Sequence, residues 1–197
     1  MKVSVAASAL AALGLATSGC TPPWAKNNSS PFIMEIASIT GSSGAGSTLR
    51  SDVLTSGGIE NDDAVVAVNI FRKNNNTDLG TTPVEHIYLE RYEVRFFRSD
   101  GHNVEGVDVP YGISGPLGNL RFHTPGPGGA GEVENSVTIT VVRHEAKLEP
   151  PLKNLRNPSS IILTTVADLT IHGRTVQGEA LVATGQFEVQ FADFADQ

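Results

Sequence analysis

The chain has 197 residues, with 14 Lys and Arg against 21 Asp and Glu, and a formal charge of −7 at pH 7. This acidic balance argues against a nucleic-acid partner, because phosphate backbones are bound through clustered basic side chains. The length suits one domain with a substantial core. A single cysteine excludes an intrachain disulfide, so burial of apolar side chains and backbone pairing hold the fold.

Residues 1–19 have the three-part pattern of a secretory signal peptide. Lys2 gives a positive start, residues 3–16 are mostly apolar, and small residues follow. The apolar run is shorter than the roughly 20 residues that a membrane-spanning helix needs. The pattern therefore predicts a cleaved signal, not a permanent transmembrane helix.

The three residues Ser18, Gly19 and Cys20 resemble the lipobox of bacterial lipoproteins, with Thr17 where that family usually has Leu. The resemblance implies that Cys20 carries a covalent lipid and becomes the first residue after cleavage. The alternative is ordinary secretion with cleavage near Ala16 or Gly19, which leaves a free thiol. A free thiol is an oxidation liability in an exported protein, so we favour lipidation.

The segment 20–31 contains three prolines with Ser and Asn and has no apolar period, which predicts a lipidated N-terminus and a flexible tether. In the lipoproteins it resembles, Asp after the cysteine favours retention in the inner membrane, and this chain has Thr21. The resemblance thus implies the bacterial cell envelope, at the outer membrane. A single domain is expected over 32–197.

From residue 32 onward apolar residues recur with period two, and helical periodicity is nearly absent. Turn-forming clusters of Gly, Pro, Asn and Asp separate the runs. The predicted strands are 32–39, 47–55, 63–72, 84–98, 116–123, 134–148, 160–172 and 178–192.

Three runs have a distinctive pattern. Residues 64–71 are apolar on both parities except Asn69, which predicts a central strand covered on both sides. The apolar parity changes within 84–98, near Glu90 and Arg91, and again within 134–148. Such a change requires a bulge or bend, as in a strand that serves a sandwich or a partly rolled sheet.

The last two predicted strands form the clearest hairpin, with Gly173 and Gly178 expected at the turn. Before them, 149–158 is expected to cross between sheets and to contain one helical turn at 152–156. In 160–172, Ile161 shares the parity of the apolar residues that follow and is expected to face the core.

These patterns predict an all-β fold: an immunoglobulin-like or fibronectin-like β-sandwich of about 7–8 strands without a disulfide. The stretches YEVRFFRSDGHNVEGVDVPY at 92–111 and ADLTIHGRTVQGEALVATGQFEVQFADF at 167–194 resemble a group of uncharacterised exported bacterial lipoproteins. That resemblance supports the sandwich fold and implies nothing about an activity.

No catalytic motif is evident in the sequence. A serine nucleophile elbow of the form Gly-x-Ser-x-Gly does not occur, and the five histidines lack zinc-finger or metalloprotease spacing. We therefore expect a protein that is not an enzyme, with no catalytic residue and no cofactor other than the lipid on Cys20.

The most polar loop follows the fourth predicted strand. It gathers Asp100, Asn103, Glu105 and Asp108, whose oxygens could serve as calcium ligands, although their spacing differs from an EF-hand. The simpler interpretation is a polar β-turn, since Asp-Gly is itself a turn signal. The acidic residues 60–63 are likewise expected to turn the chain into the next strand.

Along the strand 90–98, Arg91, Arg95 and Phe97 share one parity with Glu93. Arg and aromatic residues on an exposed face are typical of protein interfaces, whereas the simpler interpretation is cross-strand charge pairing.

Two functions follow from these patterns. The first is a membrane-anchored interaction or structural module of the cell envelope, attached through its lipid and bound to envelope or surface proteins. The second is a ligand-binding module for calcium or a saccharide, which would use loops around 98–112 and 124–132 at one end of the sandwich.

Lipid attachment predicts that cells fed a radioactive fatty acid incorporate label into the wild-type chain. Cys20→Ala is expected to carry no label, because the thiol that receives the lipid is gone. Unlabelled wild type, or label retained in the variant, would end the lipoprotein interpretation.

Overall fold

The computed structural model describes residues 30–41, 48–73, 86–124, 132–156 and 161–194. The predicted signal segment, Cys20 and the tether up to residue 29 lie outside these residues. The strands are β1 (Phe32–Gly41), β2 (Thr48–Asp52), β3 (Asp62–Arg72), β4 (His86–Phe97), β5 (Ile113–His123), β6 (Glu132–Val142), β7 (Leu163–Thr175) and β8 (Ala180–Ala192). Between β6 and β7 lie a four-residue helix, α1 (His144–Lys147), and a 3₁₀-helix (Leu152–Arg156).

The strands form two sheets. One has the order β1-β3-β6 and is antiparallel, and the other has the order β2-β8-β7-β4-β5, in which only β2 and β8 are parallel. In the immunoglobulin arrangement, β1, β3 and β6 take the places of strands A, B and E, and β8, β7, β4 and β5 those of G, F, C and C′. The predicted all-β sandwich is confirmed.

One buried apolar core lies between the sheets. Strand β8 shows the alternation that creates it, because Phe187, Val189 and Phe191 point inward while the residues between them face outward. The Phe191 ring meets Phe96 of β4 edge to face, with centroids 5.7 Å apart, a favoured geometry for aromatic pairs. Phenylalanines from two strands of the five-stranded sheet thus pack against each other in the core.

The predicted hairpin is confirmed, since β7 and β8 pair from Leu163 with Phe191 to Arg174 with Ala180. Gly178 lies in the turn with φ +89°, a conformation that side chains with a Cβ rarely adopt. Gly173 was expected at the turn but lies inside β7, opposite Leu89 of β4.

The predicted change of parity in β4 is also confirmed. Pairing with both neighbouring strands shifts register between Leu89 and Arg91, and against β7 Glu90 is the extra residue of a bulge. Leu89 before the bulge and Tyr92 after it both point into the core.

Two expectations were wrong in detail. The strand predicted over 134–148 ends at Val142, because the backbone N–H of His144 donates to Asn61 Oδ1 (2.8 Å) and the chain turns into α1. Strand β3 is central but only partly covered on its outer face: Val66 on the inner face is fully buried, whereas on the outer face Ala67 is buried and Val65 is 43% exposed. The three-stranded sheet has no further layer over its outer face among the described residues.

The register defines two ends of the sandwich. The near end holds the first residue of β1, Phe32, which pairs with Arg72 at the end of β3. It also holds the first residue of β4, His86, which pairs with His123 at the end of β5. The side chain of Asn135 joins the sheets there through two hydrogen bonds to the His123 backbone. At the far end lie the loop 98–112 and the crossover 143–162.

Burial of Phe191 predicts that Phe191→Ala lowers the free energy of unfolding by about 3–5 kcal/mol, through lost apolar contact and the cavity that remains. The matched control is Gln190→Ala on the outward face of the same strand, with an expected change below about 0.5 kcal/mol. Denaturant unfolding measures both. Equal effects of the two substitutions would contradict the inward placement of Phe191.

Candidate functional site

The loop 98–112 at the far end is held by its own polar side chains. The backbone N–H of Arg98 donates to Asn103 Oδ1 (2.6 Å), and that of His102 donates to Asp100 Oδ1 (3.1 Å). Asp108 Oδ2 accepts from the N–H of Val104 at 3.1 Å. These contacts replace backbone pairing where β4 has left the sheet, so the loop has a defined conformation.

Three of the four predicted calcium ligands therefore serve as turn-forming acceptors. Asp100 also pairs with the guanidinium of Arg98, and this hydrogen bond lowers the pKa of the Asp100 carboxyl. Glu105 forms a backbone bridge with Val109. In the described part of the chain, His, Cys, Asp and Glu form no group of three that could hold a metal ion, so Asp100, Glu105 and Asp108 do not converge. The polar β-turn accounts for their positions.

The acidic cluster at 60–63 does more than turn the chain. Asn61 accepts the N–H of His144, Asp63 Oδ1 accepts the hydroxyl of Thr140 (2.8 Å), and Asp62 lies 2.9 Å from Lys147 Nζ. Lys147 is buried, with 1% of its side chain exposed. These contacts attach the crossover 143–162 to β3.

A groove of about 490 Å³ opens at the far end between the loop 98–112, the 3₁₀-helix and the start of β7. Its wall includes Leu155 and three strongly exposed apolar residues, which we call the far-end patch: Val107 (65% exposed), Ile161 (61%) and Ile162 (53%). Arg98 and Asp100 border the groove on one side. An aliphatic surface beside polar groups is typical of a protein-binding site.

The prediction for Ile161 was wrong, since it precedes β7 and faces solvent. Alternation can bury only one of two adjacent isoleucines, and neither is buried because β7 begins at Leu163. The sequence signal that could have located the patch is this Ile-Ile pair directly after the sequence Asn-Pro-Ser-Ser at 157–160.

The predicted interface residues Arg91, Arg95 and Phe97 are brought together on the outer face of β4. Glu93 lies between the two arginines; it pairs with Arg91 and lies 3.9 Å from Arg95 Nη2. Both the charge pairing and the exposed face are therefore present. The row runs toward the far end and stops next to Arg98, which borders the groove.

Cross-strand neighbours make the outer face polar. His172 Nε2 lies 3.6 Å from Glu93 Oε1, but burial lowers the pKa of His172, so the contact is not an ion pair at neutral pH. Next to it, Gln186 Nε2 donates to Asp168 Oδ1 at 2.7 Å. Of these side chains, Glu93, Asp168 and Gln186 border a depression of about 590 Å³ whose walls also include Arg95 and Thr170.

The two loops proposed for ligand binding are flanked by residues at different ends of the sandwich. The loop 98–112 lies at the far end, whereas His123 and Glu132, which flank residues 124–131, lie at the near end. Strand β5 separates them by the full length of the sandwich. The described residues that flank the two loops therefore lie at opposite ends of the sandwich.

The chain matches no protein-family model, and no curated protein sequence is similar to it. Among the described residues, no helix is long and apolar enough to cross a membrane. The far-end groove and the outer face of β4 therefore stand as the candidate functional surfaces on geometry alone.

The buried pair predicts that Lys147→Met lowers the free energy of unfolding by about 3 kcal/mol at pH 7, because Asp62 loses its countercharge. Burial raises the pKa of Asp62 and Lys147 opposes the rise, so the substitution raises that pKa further. As the pH falls from 7 to about 4, Asp62 of the folded variant therefore binds a proton, whereas Asp62 of the unfolded chain stays ionised until the pH reaches about 4. The loss of stability is consequently expected to be smaller at pH 4 than at pH 7.

Unfolding in denaturant at both pH values measures this difference, and Lys153→Met on the exposed side of the 3₁₀-helix is the control. Adding Asp62→Asn to Lys147→Met is expected to recover part of the stability at pH 7. A loss that is independent of pH would contradict the role of the Asp62 charge.

Proposed function

We propose that this chain is a lipid-anchored, non-enzymatic interaction module of the bacterial cell envelope, which binds a protein partner through its far end. One observation carries the proposal: the N-terminal segment joins the sandwich at the near end, and the far-end patch is exposed at the opposite end. An anchor at Cys20 would therefore present the patch away from the membrane.

Chain length supports this orientation. Residues 20–29 span at most about 35 Å when fully extended, which keeps the near end close to an anchored lipid. Strand β7, with 13 residues, extends about 40 Å from one end of the sandwich to the other. The far-end patch would then face molecules beyond the membrane surface, and the anchoring bilayer would not cover it.

The surface chemistry favours a protein as the partner. The groove offers aliphatic contacts from Val107, Leu155 and Ile162, which suit an apolar side chain of the partner. The nearby charges of Arg98 and Asp100 already pair with each other and form a polar rim. Because the polar groups of the loop are engaged in holding its conformation, we assign the far end to binding and not to catalysis.

Site-specific photocrosslinking in the native host tests the proposal. A photoreactive residue at Val107 is expected to give one adduct with a protein of defined mass. The matched control is Val176, which is also exposed (41%) but lies in the β7–β8 turn at the near end.

When Ile161→Lys is added to the chain that carries the photoreactive residue at position 107, the yield of the adduct is expected to fall at least about tenfold. The reason is that a charge in the groove must be desolvated when the partner binds. No adduct at Val107, equal adducts at Val107 and Val176, or a yield unchanged by Ile161→Lys would contradict the proposal.

A further inference from the structure

Open sheet edges attract other strands, and three of the four edge strands here have features that prevent this. Strand β1 has a register shift between Ile36 and Ser38. Strand β2 is only five residues long and carries charges at Arg50 and Asp52. Strand β5 contains Pro116, which has no N–H to donate, and two residues with positive φ, one of them Asn119.

Strand β6 lacks these features between Asn135 and Thr140, although Glu132 and Glu134 precede this segment and the register with β3 shifts at Val141. Its register with β3 is continuous from Glu132 to Thr140, and the segment NSVTITVV at 135–142 has no charge, proline or glycine. The described residues provide no strand partner on its open side. Ser136 and Thr138 are exposed, whereas Val137 and Ile139 point into the core.

Contacts from the other sheet lie at the two ends of this open stretch. Tyr92 donates its hydroxyl to the carbonyl of Thr140 (2.9 Å), and Asn135 bonds the backbone of His123. The carbonyl of Thr140 thus faces away from β3. Backbone groups of an antiparallel strand alternate in direction, so Ser136 and Thr138 present their N–H and C=O groups to the open side.

We propose that β6 pairs in antiparallel orientation with β6 of a second copy of this chain, about a two-fold axis at Thr138. Ser136 of each copy then lies opposite Thr140 of the other, and the two three-stranded sheets join into one sheet of six strands.

The uncharged, self-complementary run favours a second copy as the occupant. Two molecules with a formal charge of −7 repel each other over most of their surface, but the run 135–142 places no like charges opposite each other. The axis instead brings Thr138 against Thr138, and threonine pairs are favourable across neighbouring strands. A two-fold axis is also the commonest symmetry of protein dimers.

Cross-linking tests the register. In the full chain carrying Cys20→Ser, Thr138→Cys provides the only thiol, and a short thiol-specific cross-linker is expected to join two copies. The matched control is Ser114→Cys, an exposed position on the edge strand β5. Because the pairing raises the local thiol concentration, the reaction at position 138 is expected to be about tenfold faster or more.

The axis makes a second prediction. A mixture of Ser136→Cys and Thr140→Cys chains is expected to cross-link faster than either variant alone. In analytical ultracentrifugation, the wild-type chain is expected to sediment as a dimer and Thr138→Lys as a folded monomer.

A monomeric wild type, equal rates at positions 138 and 114, or unchanged dimerisation of Thr138→Lys would overturn the proposal. If position 138 cross-links to a different protein and not to a second copy, the edge belongs to that protein and the second copy is equally excluded.

Discussion

Strand β8 is the element on which the rest of the sandwich depends. It pairs with β7 over twelve residue pairs, joins β2 to the five-stranded sheet and supplies Phe187, Val189 and Phe191 to the core. No disulfide is available, so this apolar burial and the backbone ladder hold the sheets together. The inward-facing residues of the strands are consequently buried in the core, so loops, outer faces and strand edges are the surfaces that remain for binding.

The same arrangement gives the domain a polarity. The chain from the N-terminus joins at the near end, and the crossover that is attached through Asp62 and Lys147 shapes the groove at the far end. A buried ion pair contributes little net stability by itself, but loss of one partner is costly. Its role here is to position the wall that includes Leu155. On the proposed anchoring, the membrane, the far-end partner and the second copy would occupy three separate surfaces.

Period-two alternation was sufficient to predict the strands, the β7–β8 hairpin and the bulge at Glu90, because each follows from which residues the core must bury. The end of β6 was not predictable, since it depends on Asn61 and Asp62, some 80 residues earlier in the chain. The shared outward face of Arg91, Arg95 and Phe97 was predictable from the alternation of residues along β4. The far-end patch did not, because its exposure depends on where β7 begins and on the packing of the 3₁₀-helix.

Energy transfer from a dye on the protein to an acceptor in the membrane tests the proposed orientation most directly. If lipid occupies Cys20, a cysteine introduced at Val176 or Val107 is the only reactive thiol for the dye. The two positions lie at opposite ends, about 40 Å apart along the strands. Strong transfer from position 176 and weak transfer from position 107 is the predicted result. Equal transfer from both positions, or stronger transfer from position 107, would contradict it.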